Sequence, residues 1–256
     1  MKVKIIISLF LILLVSACGC QKTVIPKPAP IAIPSDAKLV CIFFDDAFTN
    51  QYEVALPILL EYDFKATFGV ITDYVGTGHD LWEYMDTDKL EDLARYGMDI
   101  GCHTKTHPDL TTISDEQLRE EIIESKKDLE NMGFEVSTMV YPYYEWNDKV
   151  IDYVIEANFT CARAGWTQKG FYDPNDSDPR ARYHVTAWQI HGQDMDRFKY
   201  IVGKAGRYAV VCLVYHFISD EGPETTSTPL ASFQEQMAYL KSAGYFVIPL
   251  PDIFRQ

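Results

Sequence analysis

The chain alternates unbroken apolar runs with stretches in which apolar residues recur at helical spacing. Leu39 to Phe44 has no polar residue, the mark of a strand buried on both faces. Helical spacing follows from Gln51 to Tyr62, and Ala66 to Thr72 reads as a second strand. Asp88 to Tyr96 predicts a helix stopped by Gly97, and Met98 to Thr104 a third strand. Ser114-Asp115-Glu116-Gln117 has the form of a capping box and opens a helix to about Asn131, with Gly133 beyond it. Ser137 to Tyr143 is a fourth strand, and a helix begins near Asn147. Strands over Phe159 to Ala164, His184 to Ile190 and Tyr208 to Tyr215 precede a last helix, Leu230 to Ser242, and a strand from Tyr245 to Pro249.

Such alternation gives parallel strands joined by right-handed crossovers. The expected class is α/β. A (β/α) barrel is the simplest closed solution, and an open doubly wound sheet is the alternative. Barrels carry their chemistry at the carboxyl ends of the strands.

The start of the chain lies outside this rhythm. Lys2 and Lys4 precede an apolar run from Ile5 to Val15, which is followed by small residues, the layout of an export signal. That run is shorter than the ~20 residues of a bilayer-spanning helix. Val15-Ser16-Ala17-Cys18 resembles the lipobox of prokaryotic lipoproteins, which implies cleavage before Cys18, lipidation of its thiol and anchoring to the outer face of the cell membrane. Pro26, Pro28, Pro30 and Pro34 stiffen an extended linker. The expected organisation is a signal peptide over 1–17, a proline-rich linker over 18–37 and one domain over 38–256.

Apolar residues make up 47% of the 256, enough for a deep core, and the net charge of -14 argues against nucleic acid as a partner. Cys41, Cys102, Cys161 and Cys212 lie in apolar runs and are expected as buried thiols, with no disulfide framework.

Candidate chemistry gathers at the strand ends. Asp45 and Asp46 follow the first strand; alone, the pair is equally a turn cap and a solvated neighbour. His103 ends the third strand with His107 four residues on, a spacing that lets two imidazoles converge on one ion, though many such pairs are surface accidents. One Asp and two His leave coordination positions open, as a catalytic divalent metal requires, with zinc the default. Tyr141-Pro142-Tyr143 ends the fourth strand. His216 ends the late apolar strand, as a general acid or as an edge histidine bonded to a carbonyl. Trp82, Tyr84, Trp146 and Trp188 are sugar-stacking or core aromatics, and His79, His184 and His191 are expected in solvated or packed roles.

In this order these segments resemble the polysaccharide deacetylases of carbohydrate esterase family four, from about Lys38 to Pro249. Phe44-Asp45-Asp46 resembles the first motif, implying Asp45 as catalytic base and Asp46 as metal ligand. His103-Thr104-Lys105-Thr106-His107-Pro108 matches the second, implying His103 and His107 as ligands. Tyr141-Pro142-Tyr143 resembles the third, in which the N–H of Tyr143 faces the oxyanion, and Leu213-Val214-Tyr215-His216 the fifth, with His216 as general acid. The implied fold is a distorted (β/α) barrel of about seven strands. The implied activity is metal-dependent removal of N-acetyl groups from peptidoglycan, a chitin-like chain or a glucosamine polymer. The rival readings are an amidase or deformylase on the same barrel, and a non-catalytic carbohydrate-binding lipoprotein.

Three departures stand out. Val140 occupies the place of an Arg that supports the base in many members. Tyr144 replaces the usual Gly, and the fourth motif, an Asp-Trp pair, is not recognisable. Arg163 and Trp166, after the fifth strand, are candidates for the groove wall or for structural roles.

Overall fold

The computed structural model describes residues 25, 32–79, 82–165, 170–192, 194–206 and 209–255. The signal segment, Cys18, most of the linker and Trp166 lie outside them. No helix among the described residues is long and apolar enough to cross a membrane.

The framework is a parallel sheet of eight strands: β1 (Lys38–Phe44), β2 (Ala66–Val70), β3 (Asp99–Cys102), β4 (Thr138–Val140), β5 (Cys161–Arg163), β6 (Ala187–Gln189), β7 (Val210–Tyr215) and β8 (Tyr245–Val247). Their order is β5-β4-β3-β2-β1-β7-β6. Strand β8 pairs with the first half of β1 on the edge whose second half pairs with β2. The two ends of the sheet meet where Arg163 bridges Val185, through Ala164 N–H to the Val185 carbonyl at 2.8 Å and Val185 N–H to the Ala162 carbonyl at 2.9 Å. The result is a distorted, nearly closed (β/α) barrel.

Helices α1 (Leu56–Glu61), α2 (Thr87–Arg95), α4 (Asp148–Glu156), α5 (Met195–Val202) and α6 (Leu230–Ser242) pack outside, as does α3, which runs through Asp115–Leu118, Arg119–Glu124 and Ser125–Met132. The capping box at Ser114 forms as expected, and Gly133 ends α3 with φ 105°. Several expected bounds are corrected. The Gln51–Tyr62 segment opens as a π-helical turn, Gln51–Ala55, before α1. Strands β2, β3 and β4 stop at Val70, Cys102 and Val140 because the chain turns as it reaches the rim. Helix α5 and the short pairs Gly78–His79 with Trp82–Glu83 and Phe217–Ile218 with Ser227–Thr228 are additions to the expected elements.

Strand alternation sorts the side chains into two cores. Val40, Ile42 and Phe44 face the helices, where Phe44 stacks on Phe68 at 4.9 Å and on Tyr215 at 5.7 Å. Leu39, Cys41 and Phe43 face the barrel interior with Val140, Cys161, Cys212 and Val214. Each fully buried large apolar side chain contributes about 1.5–3 kcal/mol relative to exposure. Cys41, Cys102, Cys161 and Cys212 are free, buried thiols, as expected. Burial pushes the Cys102 thiol up to about 11, so it behaves as a small apolar group.

Candidate active site

The alternation in β1 dictates where its carboxylates go. Asp45 is next in the series Leu39, Cys41, Phe43 and points into the barrel, where it is 3% exposed. Strict alternation would send Asp46 outward to the helices. Instead Asp46 has φ 75° and Ala47 φ 57°, and this turn brings the second carboxylate back over the barrel mouth. Gln51, fully buried, fastens the turn by donating to the carbonyls of Asp45 at 2.5 Å and His216 at 2.8 Å, tying the ends of β1 and β7 together.

His103 follows Gly101 on the interior face of β3. Its Nδ1 lies 2.8 Å from the Val140 carbonyl, which aims Nε2 at the mouth. Glu121 of α3 shapes the loop after it. One of its oxygens accepts the N–H groups of Lys105 (2.8 Å) and Thr106 (2.9 Å), and the other accepts the Thr106 hydroxyl (2.6 Å). Thr104 and His107 take positive φ (66° and 64°), and the His107 N–H donates to Thr104 Oγ1 at 2.9 Å. Tyr143 and Tyr144 also have positive φ, 54° and 66°. Such conformations cost about 1–3 kcal/mol each in non-glycine residues and collect where the surrounding structure holds a site in place.

These turns bring Asp46, His103 and His107 together, with one ligand atom from each lying within 4.8 Å of the others. Asp46 Oδ1 is 3.5 Å from His103 Nε2 and 3.6 Å from His107 Nε2, and the two imidazole nitrogens are 3.2 Å apart. Burial acts to raise the Asp46 carboxyl, but the hydrogen bond and charge of His103, then His216 and His107, outweigh it and hold the group below the usual carboxylate range. Burial, with the charge of His103, pushes His107 down to about 4, so its ring is neutral with a free lone pair at neutral pH. One carboxylate oxygen and two imidazole nitrogens fit a divalent cation, with the side toward solvent left open for substrate.

Asp45 faces a different set of partners. Arg163 Nη2 spans both carboxylate oxygens, at 2.7 and 2.6 Å, and His216 Nε2 lies 3.7 Å from Oδ2. The role of Arg163 was left open by the sequence; it is an interior-facing side chain two residues beyond Cys161, which is the signal that could have found it. His216 Nδ1 has no hydrogen-bond partner among the described residues, in keeping with the absence of a recognisable fourth motif. Tyr143 stands on the rim, 60% exposed, with its ring 4.8 Å from that of His107. The other aromatics are structural or peripheral: Trp146 stacks on His184 at 4.6 Å, Trp188 donates to the Gly170 carbonyl, and Trp82 packs on Phe217 and Phe48.

The fold and rim together define a (β/α)-barrel protein with an Asp-His-His cluster that could hold a cation, beside a buried carboxylate. The family model for polysaccharide deacetylase matches residues 32–162, and the chain belongs to that family. A peptidoglycan-N-acetylglucosamine deacetylase of Bacillus cereus (strain ATCC 14579) is 25% identical over 224 residues, 87% of this chain and 91% of the relative. YxkH of Bacillus subtilis (strain 168), provisionally named a polysaccharide deacetylase, is 32% identical over 135 residues; the match spans 51% of this chain and 47% of YxkH. Among solved structures, the Xyl-CE4 domain of a multidomain xylanase from the hindgut metagenome of Trinervitermes trinervoides is similar in fold, with TM-score 0.59 at 19% identity over 86% of this chain and 90% of that one.

Proposed function

We propose that this protein is a metal-dependent hydrolase that removes N-acetyl groups from an amino-sugar polymer of the peptidoglycan, chitin or glucosamine type. The observation that carries this reading is the convergence of Asp46, His103 and His107 on one point beside Asp45. The similarity to a peptidoglycan-N-acetylglucosamine deacetylase over most of the chain favours the substrate class. Asp46, His103 and His107 would hold the cation, with zinc as the default; when bound, it supplies Lewis acidity, polarising a carbonyl and lowering the pKa of water to about 7.

The remaining roles belong to the chain. Asp45 takes the proton of the attacking water. The N–H of Tyr143 donates to the oxygen that becomes negative in the tetrahedral state, the kind of contact worth about 3–4 kcal/mol. His216 gives its proton to the departing nitrogen, releasing acetate and a free amino sugar. We further propose that the protein is exported and held to the membrane by lipid on Cys18, with the proline-rich segment as spacer.

Acetate release from acetylated peptidoglycan, chitin oligosaccharides and poly-N-acetylglucosamine, with and without a chelator, tests the reading. Release from at least one of these, lost on chelation and restored by zinc, is expected. Cleavage of small amides alone, or release indifferent to the chelator, contradicts it.

A further inference from the structure

Two departures from the family's pattern, Val140 and Tyr144, meet at one place in the barrel. Val140 and Arg163 are register partners across β4 and β5, and both side chains face the interior. A guanidinium at either position therefore enters the barrel at the same height, one strand apart. In this chain it comes from Arg163, which is 0% exposed and contacts both oxygens of Asp45 through Nη2. Its Nε and Nη1 have no hydrogen-bond partner among the described residues; the guanidinium instead lies 4.9 Å from the Tyr144 ring centroid and 5.7 Å from that of Phe43. Tyr144 thus covers the cation from the side where the family usually has glycine. That placement in turn needs Gly165, because a Cβ there would come within 2.6 Å of Tyr144 Cβ.

We propose that Arg163 is the positioning residue for the base Asp45, and that Val140, Arg163, Tyr144 and Gly165 together form a relocated support, with the guanidinium moved one strand over and capped by Tyr144. The proposal rests on the deacetylase reading for Asp45's role, but the contact itself is testable without turnover. A buried carboxylate has few ways to hold one orientation, and a planar guanidinium against both oxygens fixes it. A misplacement of about 1 Å at a reacting group costs on the order of 100-fold in rate.

The test compares wild type, Arg163→Met, Arg163→Lys and the double variant Val140→Arg/Arg163→Val on a chitin oligosaccharide, with bound metal measured for each. Arg163→Met should lower kcat about 100-fold, with KM and metal content within about twofold of wild type. Lysine should restore little, and the double variant should recover at least about tenfold over Arg163→Met. In chelator-treated protein, Arg163→Met should lower the unfolding midpoint less in an Asp45→Asn background than in wild type. An unchanged kcat, a fall that only tracks lost metal, or a double variant no better than Arg163→Met overturns the proposal. So does additivity of the two substitutions in the unfolding series. A wild type that releases no acetate counts against the deacetylase reading and leaves the unfolding series to decide on the contact.

Discussion

Asp45→Asn is expected to lower kcat by about 10²–10⁴-fold while leaving the bound metal unchanged. The substitution keeps the shape of the side chain and removes its capacity to take a proton. Asp46, His103 and His107 are all still present, so the proposed cation site persists. The change also leaves Arg163, fully buried, facing a neutral amide. Removing one partner of a buried ion pair costs up to about 3–5 kcal/mol, less here because the asparagine oxygen still accepts from the guanidinium. Activity must therefore be normalised to folded, metallated protein. A variant with wild-type turnover after that correction removes Asp45 from the role of base.

His103→Ala is expected to behave in the opposite way toward the metal, losing ion and turnover together. In the proposed cation site His103 supplies one of three ligand atoms, so the loss in affinity should exceed the about 10–100-fold that follows removal of an outer partner. It also strips the buried Val140 carbonyl of the group bonded to it, which costs about 1–3 kcal/mol. His107→Ala separates the two effects, because His107 is more exposed and donates nothing to that carbonyl. Both variants should bind zinc weakly in equilibrium dialysis, with only His103→Ala unfolding markedly earlier. A fully metallated, active His103→Ala protein refutes the ligand assignment.

Much of the barrel was legible because its strands are buried on both faces. Leu39 to Phe44 has no alternative as an unbroken apolar run, and Gly133 and the Ser114 box mark helix ends by local chemistry alone. The strands end sooner than their apolar runs suggest, at Val70, Cys102 and Val140: a 3₁₀ turn begins at Thr72, and Thr104 and Tyr143, ordinary in composition, bend the chain by taking positive φ. Helix α5 carries local signals, an Asp194 N-cap and inward Phe198, Ile201 and Val202, that sequence reading passed over. Gln51 and Arg163 are a different matter. The alternation from Cys161 marks Arg163 as interior, but the partners that give both residues their roles, His216 for Gln51 and Asp45 for Arg163, lie far along the chain, and no local pattern encodes a register between strands.

The most direct test is X-ray absorption at the zinc edge on the purified protein loaded with one equivalent of zinc. The account predicts a single ion with two imidazole nitrogens at about 2.0–2.1 Å and carboxylate oxygen in the shell, and loss of one imidazole shell in His107→Ala. Zinc that fails to bind, or a ligand shell unaltered by that substitution, would contradict it.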